Sequence, residues 1–124
     1  MSEIKVGSTV LAVWPNDPKR VPRPGIVVAI LRDGDKVQAR VVYGTTKSAQ
    51  GGTREGNKPW CVLTTPAESS RLGFRRQEQG RFDTGRLRLF VVESLTVVGN
   101  IDAVRGLNDA LVAARKVVPK YRGR

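Results

Sequence analysis

The chain contains no histidine and a single cysteine, Cys61. Without an imidazole there is no histidine general base, and no Cys–His pair for a cysteine-protease mechanism. One cysteine excludes an internal disulfide. Structural zinc sites gather several cysteines and histidines, and this chain offers one such residue in total. Cys61 therefore reads as a small buried hydrophobe in a strand. No apolar run approaches the ~18 residues that span a bilayer. The first residues, Met1-Ser2-Glu3-Ile4-Lys5, lead into a strand-like segment without the apolar stretch of a signal peptide. The expectation is a cytoplasmic protein with no membrane contact, no metal and no cofactor.

Acids are scarce as well. Eleven Asp and Glu stand against 22 Lys and Arg, a net charge of +11, with a pI near 10.9. A field of that sign draws in polyanions and speeds their encounter. The arginines also cluster, with Arg71, Arg75, Arg76, Arg81, Arg86 and Arg88 in one stretch. Arg115, Lys116, Lys120, Arg122 and Arg124 close the chain. A nucleic acid fits this pattern better than an anionic membrane, because no helix combines a bulky aromatic face with a lysine-rich one. At 124 residues, with 40% hydrophobic and 27% charged, the chain has the size and composition of one globular domain spanning 1–124.

Hydrophobic periodicity supplies the elements. Thr9–Trp14 is a short apolar strand, stopped by the turn-forming Pro15-Asn16-Asp17-Pro18. Lys19-Arg20-Val21-Pro22-Arg23-Pro24 reads as a stiff basic loop on the rim of a sheet, since its prolines remove ladder donors. Gly25–Arg32 is apolar on both faces, and Asp33-Gly34 suits a two-residue hairpin turn. On the return strand, Val37, Ala39, Val41 and Tyr43 alternate with Lys36, Gln38 and Arg40. Gly44–Lys58 has loop composition, Trp60–Thr65 resumes strand character, and Pro66–Thr84 is irregular and arginine-rich. Arg86–Val92 alternates again, with Leu87, Leu89 and Val91 on one side and Arg86, Arg88 and Phe90 on the other. Leu95–Val98 is a last strand.

A closing helix over about 102–118, capped by Asn100 or Asp102, carries the apolar stripe Val104, Leu107, Leu111, Ala114 and Val118. That stripe serves either to cover a barrel end or to pair with a second copy. Five to six short strands and one terminal helix predict a mainly β domain, a small barrel of the SH3-like or OB-like kind.

Two segments carry candidate chemistry. Pro22-Arg23-Pro24-Gly25 opens an apolar strand, and Val42-Tyr43-Gly44-Thr45-Thr46-Lys47 ends its hairpin partner. The intervening turn makes them antiparallel, so Arg23 and Thr45 arrive at the same end. An arginine beside threonine hydroxyls is a phosphate site, a bidentate fork with neutral donors.

Over roughly residues 5 to 50, this arrangement resembles the PemK/MazF superfamily of toxin endoribonucleases. There, too, a strand-opening Arg-Pro precedes a strand that ends in paired hydroxyl residues. A weaker echo runs from Leu72 to Leu89. The first loop, Asn16-Asp17-Pro18-Lys19-Arg20, and the longer, glycine-rich middle loop depart from the family pattern. The resemblance favours the SH3-like barrel and implies a sequence-selective, metal-independent enzyme that cleaves single-stranded RNA, with Arg23, Thr45 and Thr46 as its catalytic residues. Arg23 would stabilise the phosphorane, because a group with a pKa above about 12 is a poor base. Thr45 or Thr46 would hold the scissile phosphate while the RNA's own 2′-OH attacks. It also implies a homodimer and an acidic antitoxin-like partner suited to the +11 surface.

Two further readings use the same fold without catalysis. A binding-only barrel would hold nucleic acid through Lys19, Arg20, Lys47, Arg75, Arg76, Arg81, Arg86 and Arg88, with Phe74 or Phe82 as a stacking face. A Tudor- or PWWP-like reader, which the Val6–Trp14 and Val42–Thr45 segments also resemble, would need Trp14, Tyr43 and Trp60 to converge into an aromatic cage.

Overall fold

The structure, a computed structural model, describes residues 3–45, 59–74 and 79–118. Six strands run β1 (Ser8–Val13), β2 (Pro22–Asp33), β3 (Lys36–Thr45), β4 (Cys61–Thr64), β5 (Gly80–Val91) and β6 (Thr96–Asn100). They form a single antiparallel sheet in the order β4-β5-β3-β2-β1-β6. The domain is mainly β with a C-terminal helix, as the periodicity predicts. The ring of a barrel is not closed, because β4 and β6 stand at opposite ends of the sheet.

Both faces of the sheet are buried, in accord with the two-sided apolar character of β2. One face carries Ile26, Val42, Val62 and Phe82, packed against Leu72, Phe74 and the C-terminal segment. The other gathers Val10, Ala12, Trp14, Val27, Val41 and Phe90. Helix α1 (Pro66–Arg71) and helix α2 (Leu107–Lys116) cover only the first of these faces through their flanking and buried residues.

Several local details differ from the expectation. The β2–β3 pairing ends at Asp33↔Lys36, so the two turn residues are Gly34 and Asp35 rather than Asp33 and Gly34. Gly34 has φ +60° and Asp35 is not in the positive-φ region, which is the type II′ requirement for glycine at the first central position. Pro22, Arg23 and Pro24 belong to β2 and pair with β1 instead of forming a rim loop. The prolines are tolerated because the β2–β3 pairing extends only to Gly25↔Tyr43, leaving that side of β2 with no ladder bond to lose. Pro66–Arg71, expected to be irregular, is a helix started by a capping box. Glu68 N donates to Thr65 Oγ1 (3.1 Å), Thr65 N donates to Glu68 Oε1 (2.9 Å), and Pro66 opens the first turn.

Helix α2 starts at Leu107, five residues later than expected. Asn100 caps the short 3-10 turn Ile101–Ala103, its Oδ1 accepting from Asp102 N, and Gly106 (φ +82°) resets the direction. Val104, Leu107, Leu111 and Ala114 are buried in the chain's own core. The stripe therefore covers the sheet and is not available for pairing with a second copy. On β5 the alternation holds, but Phe90 is the buried member, while Leu87, Leu89 and Val91 are exposed. Cys61 is half-buried rather than fully enclosed.

Candidate nucleic-acid site

The site begins in the loop between β1 and β2. Asp17 N donates to Trp14 O (3.0 Å) and Arg20 N to Asp17 O (3.1 Å), two successive turns with Pro15 and Pro18 in their second positions. Arg20 takes the left-handed conformation (φ +51°) that lets the chain turn back into β2. The Asp17 side chain fixes this loop: Oδ1 accepts from Lys19 N at 3.1 Å, and Oδ2 accepts from Arg23 Nε at 2.9 Å. Sequence reasoning assigned Asp17 to a turn only. Its pairing with Arg23 follows from the hairpin geometry, which returns the chain beside its own turn.

This ion pair sets the electrostatics. The hydrogen bond from Arg23 holds the Asp17 carboxyl below the usual carboxylate range. The same bond raises Arg23 above the ordinary arginine value, so it stays a cation and does not act as a base. Asp17 engages Nε, leaving the two terminal nitrogens of the guanidinium without a protein partner among the described residues. Arg23 is 20% exposed in its side chain and Asp17 9%, so the pair sits at a partly covered mouth.

Register places Thr45 beside it. Gly25 faces Tyr43, and the Pro24 carbonyl lies against Gly44, so the next residues in line are Arg23 and Thr45. The pairing itself stops at Gly25↔Tyr43, and the alternation of each strand beyond that point sets Arg23 and Thr45 on the same face and at the same end. Thr45 in turn faces Arg81, and Arg23 faces Ala12. The resulting row, Ala12-Arg23-Thr45-Arg81, crosses four strands on the face opposite α2. Thr45 is buried, at 7% exposure, and forms the floor of the row. Arg81 is half-buried, and Lys19, Arg20, Arg86 and Arg88 are exposed. Thr46, Lys47, Arg75 and Arg76 lie outside the described residues, as do Lys120, Arg122 and Arg124.

One step along the strands, an aromatic file borders the row. Trp14 meets Tyr43 edge-on at 5.0 Å and Phe90 at 5.2 Å. Arg86 lies over the Tyr43 ring, its Cζ 4.0 Å from the centroid. This arrangement speaks against an aromatic cage for methylated lysine. Trp14 is buried in the core, and the chain's own arginine occupies the cation position on Tyr43. Phe74 and Phe82 are also buried, packed on each other at 6.1 Å, and offer no stacking face.

A separate open groove of about 550 Å³ lies at the other end of β1, lined by Glu3, Lys5, Ser8, Asn100 and Asp102 among others. Its charges are mixed, and none of the row's residues reaches it. Among the described residues, no three His, Cys, Asp or Glu side chains converge as a metal site, and no helix is long and apolar enough to cross a membrane. No protein-family model matches this chain, and no curated protein does either.

Proposed function

We propose that the chain is an endoribonuclease of PemK/MazF type, acting on single-stranded RNA at the Arg23–Thr45–Arg81 row. The observation that carries this reading is the register that brings Arg23 and Thr45 to one end of one sheet face, with α2 on the other face. The reaction needs little from the protein beyond charge. The RNA 2′-OH attacks the adjacent phosphorus, the P–O5′ bond breaks, and the products are a 2′,3′-cyclic phosphate and a 5′-OH. The 2′-OH proton leaves to water, and water returns one to the departing 5′-oxygen. Arg23 meets the charge that builds on the phosphorane oxygens, and Asp17 orients it by holding Nε. An acidic antitoxin-like segment laid over the same cations would block the strand.

The test is incubation of purified protein with labelled single-stranded RNA in EDTA, with products analysed for cyclic phosphate ends. Cleavage by the native protein, lost in Arg23→Ala with the fold kept, supports the enzyme. The burial of Thr45 favours one second reading, a binding-only domain that uses the exposed Arg86, Arg88, Lys19 and Arg20. That domain would bind the same RNA without cleaving it, and its affinity would fall steeply with salt.

A further inference from the structure

Strand β5 carries an interruption that the sheet does not need. Val42 faces Leu87, but the next residue of β3, Tyr43, faces Asp83, so Thr84, Gly85 and Arg86 have no counterpart on β3. Three extra residues would ordinarily loosen a strand. Here they are fastened on both sides. Thr84 donates twice to the Trp60 carbonyl, from N at 3.1 Å and from Oγ1 at 2.6 Å. Gly85 N donates to Asp83 Oδ1 at 2.9 Å. Thr84 and Asp83 are both buried.

The fastened bulge delivers Arg86 onto Tyr43, with Cζ 4.0 Å from the ring centroid. Tyr43 is itself steadied by the edge of Trp14, and Trp14 by Phe90. Arg86 is exposed and makes no hydrogen bond or ion pair among the described residues. Its guanidinium carbon lies over the Tyr43 ring, and the residue is open to solvent.

We propose that Arg86, seated on Tyr43, is a stacking platform for one nucleobase of the bound strand, beside the phosphate position at Arg23. Unstacked RNA bases settle on aromatic rings and on guanidinium planes alike, and either face suits any base. Tyr43 and Thr45 are two residues apart on the same strand face, about 7 Å along β3. The platform is thus the neighbour of the phosphate row, at a distance that a single nucleotide can bridge. The proposal rests on the single-stranded RNA reading and adds to it a base subsite that is indifferent to cleavage.

The experiment compares binding of a short fluorescent RNA by the native protein, Arg86→Lys, Tyr43→Leu and Arg88→Ala across a salt series. Arg86→Lys keeps the charge and loses the plane. It should weaken binding about ten-fold while leaving the slope of log affinity against log salt unchanged. Tyr43→Leu, which removes the seat, should do the same. Arg88→Ala should instead flatten the slope by about one unit, as the loss of a phosphate contact does. The Arg86→Lys penalty should vanish on an RNA with an abasic residue at the stacked position. If Arg86→Lys binds like the native protein with full salt dependence retained, the platform is overturned and RNA binding stands. If the native protein fails to bind RNA, the functional reading falls and the platform with it.

Discussion

Gly44 offers a direct test of how closely the strands approach beneath the site. It lies between Tyr43 and Thr45 and turns toward the opposite face. A methyl group there would sit 2.6 and 2.7 Å from two Phe82 ring carbons and 2.7 Å from the Pro24 carbonyl oxygen. Ordinary carbon contacts lie at about 3.5–4.0 Å, so the shortfall is about 1 Å on two sides at once. Neither neighbour can yield freely, since Phe82 is 1% exposed and Pro24 is part of β2. Overpacking of this kind destabilises by about 1–3 kcal/mol. For a domain of this size, each kcal/mol lowers the thermal midpoint by about 4 °C, so Gly44→Ala should melt roughly 4–12 °C below the native protein. Gly34→Ala is the control. Its methyl group would meet nothing within 4 Å, so its only cost is the φ of +60°, about 1–2 kcal/mol. Thermal melts by circular dichroism read both. The distinction appears in function: Gly44→Ala displaces the Arg23–Thr45 row and weakens RNA binding, and Gly34→Ala does not. A Gly44→Ala variant as stable and as active as the native protein would refute the close approach.

Three further outcomes are expected. Thr65→Ala removes one half of the capping box and should cost about 1 kcal/mol in chemical denaturation, with RNA binding unchanged. Leu111→Ala empties a buried site between α2 and the sheet and should cost about 2–5 kcal/mol. Because α2 covers the other face, the folded fraction of that variant should bind RNA normally in a gel-shift assay. Asp17→Asn removes the negative charge beside Arg23 and leaves one acceptor oxygen where Lys19 N and Arg23 Nε each have their own, and should slow RNA cleavage about ten-fold by loss of orientation. The pH dependence of that pair has a definite sign. The Asp17 pKa is lowered on folding, so its contribution to stability is complete above the ordinary carboxylate value of about 4 and fades as pH falls through the lower folded value. The gap in thermal midpoint between the native protein and Asp17→Asn should therefore be widest near neutrality and close in strong acid.

The parts legible from sequence were those governed by local pattern. The β2–β3 hairpin follows from β-branched runs on either side of a glycine turn, and with it the placing of Arg23 and Thr45 at the same end of the two strands. Even there the turn shifted by one residue, because Asp33-Gly34-Asp35 presents the glycine to two turn types, and only the strand register chooses between them. The first half of β5, Gly80–Thr84, reads as loop because Gly80, Asp83 and the following Gly85 have low strand propensity and break up the Phe82 and Thr84 pattern. It becomes a strand through pairing with β3 and β4. Helix α1 was signalled by Thr65-Pro66-Ala67-Glu68, but six residues are too few to show a helical period. Neither Asp17 nor the Arg86–Tyr43 contact was foreseeable. The first needs the loop to fold back on itself, and the second depends on a three-residue bulge that no sequence pattern marks.

The pairing of β1 with β6 makes the order of assembly asymmetric. The early strands can meet as a meander while the chain is still being synthesised, but the outer flank of β1 waits for residues 96–100. Until they arrive, a row of backbone donors and acceptors beside Val10 is left uncovered, a template for pairing with any other extended chain. A ribosome that stalls after β5 would therefore release a sticky fragment, and the slow step of refolding should be the capture of this last strand by the first.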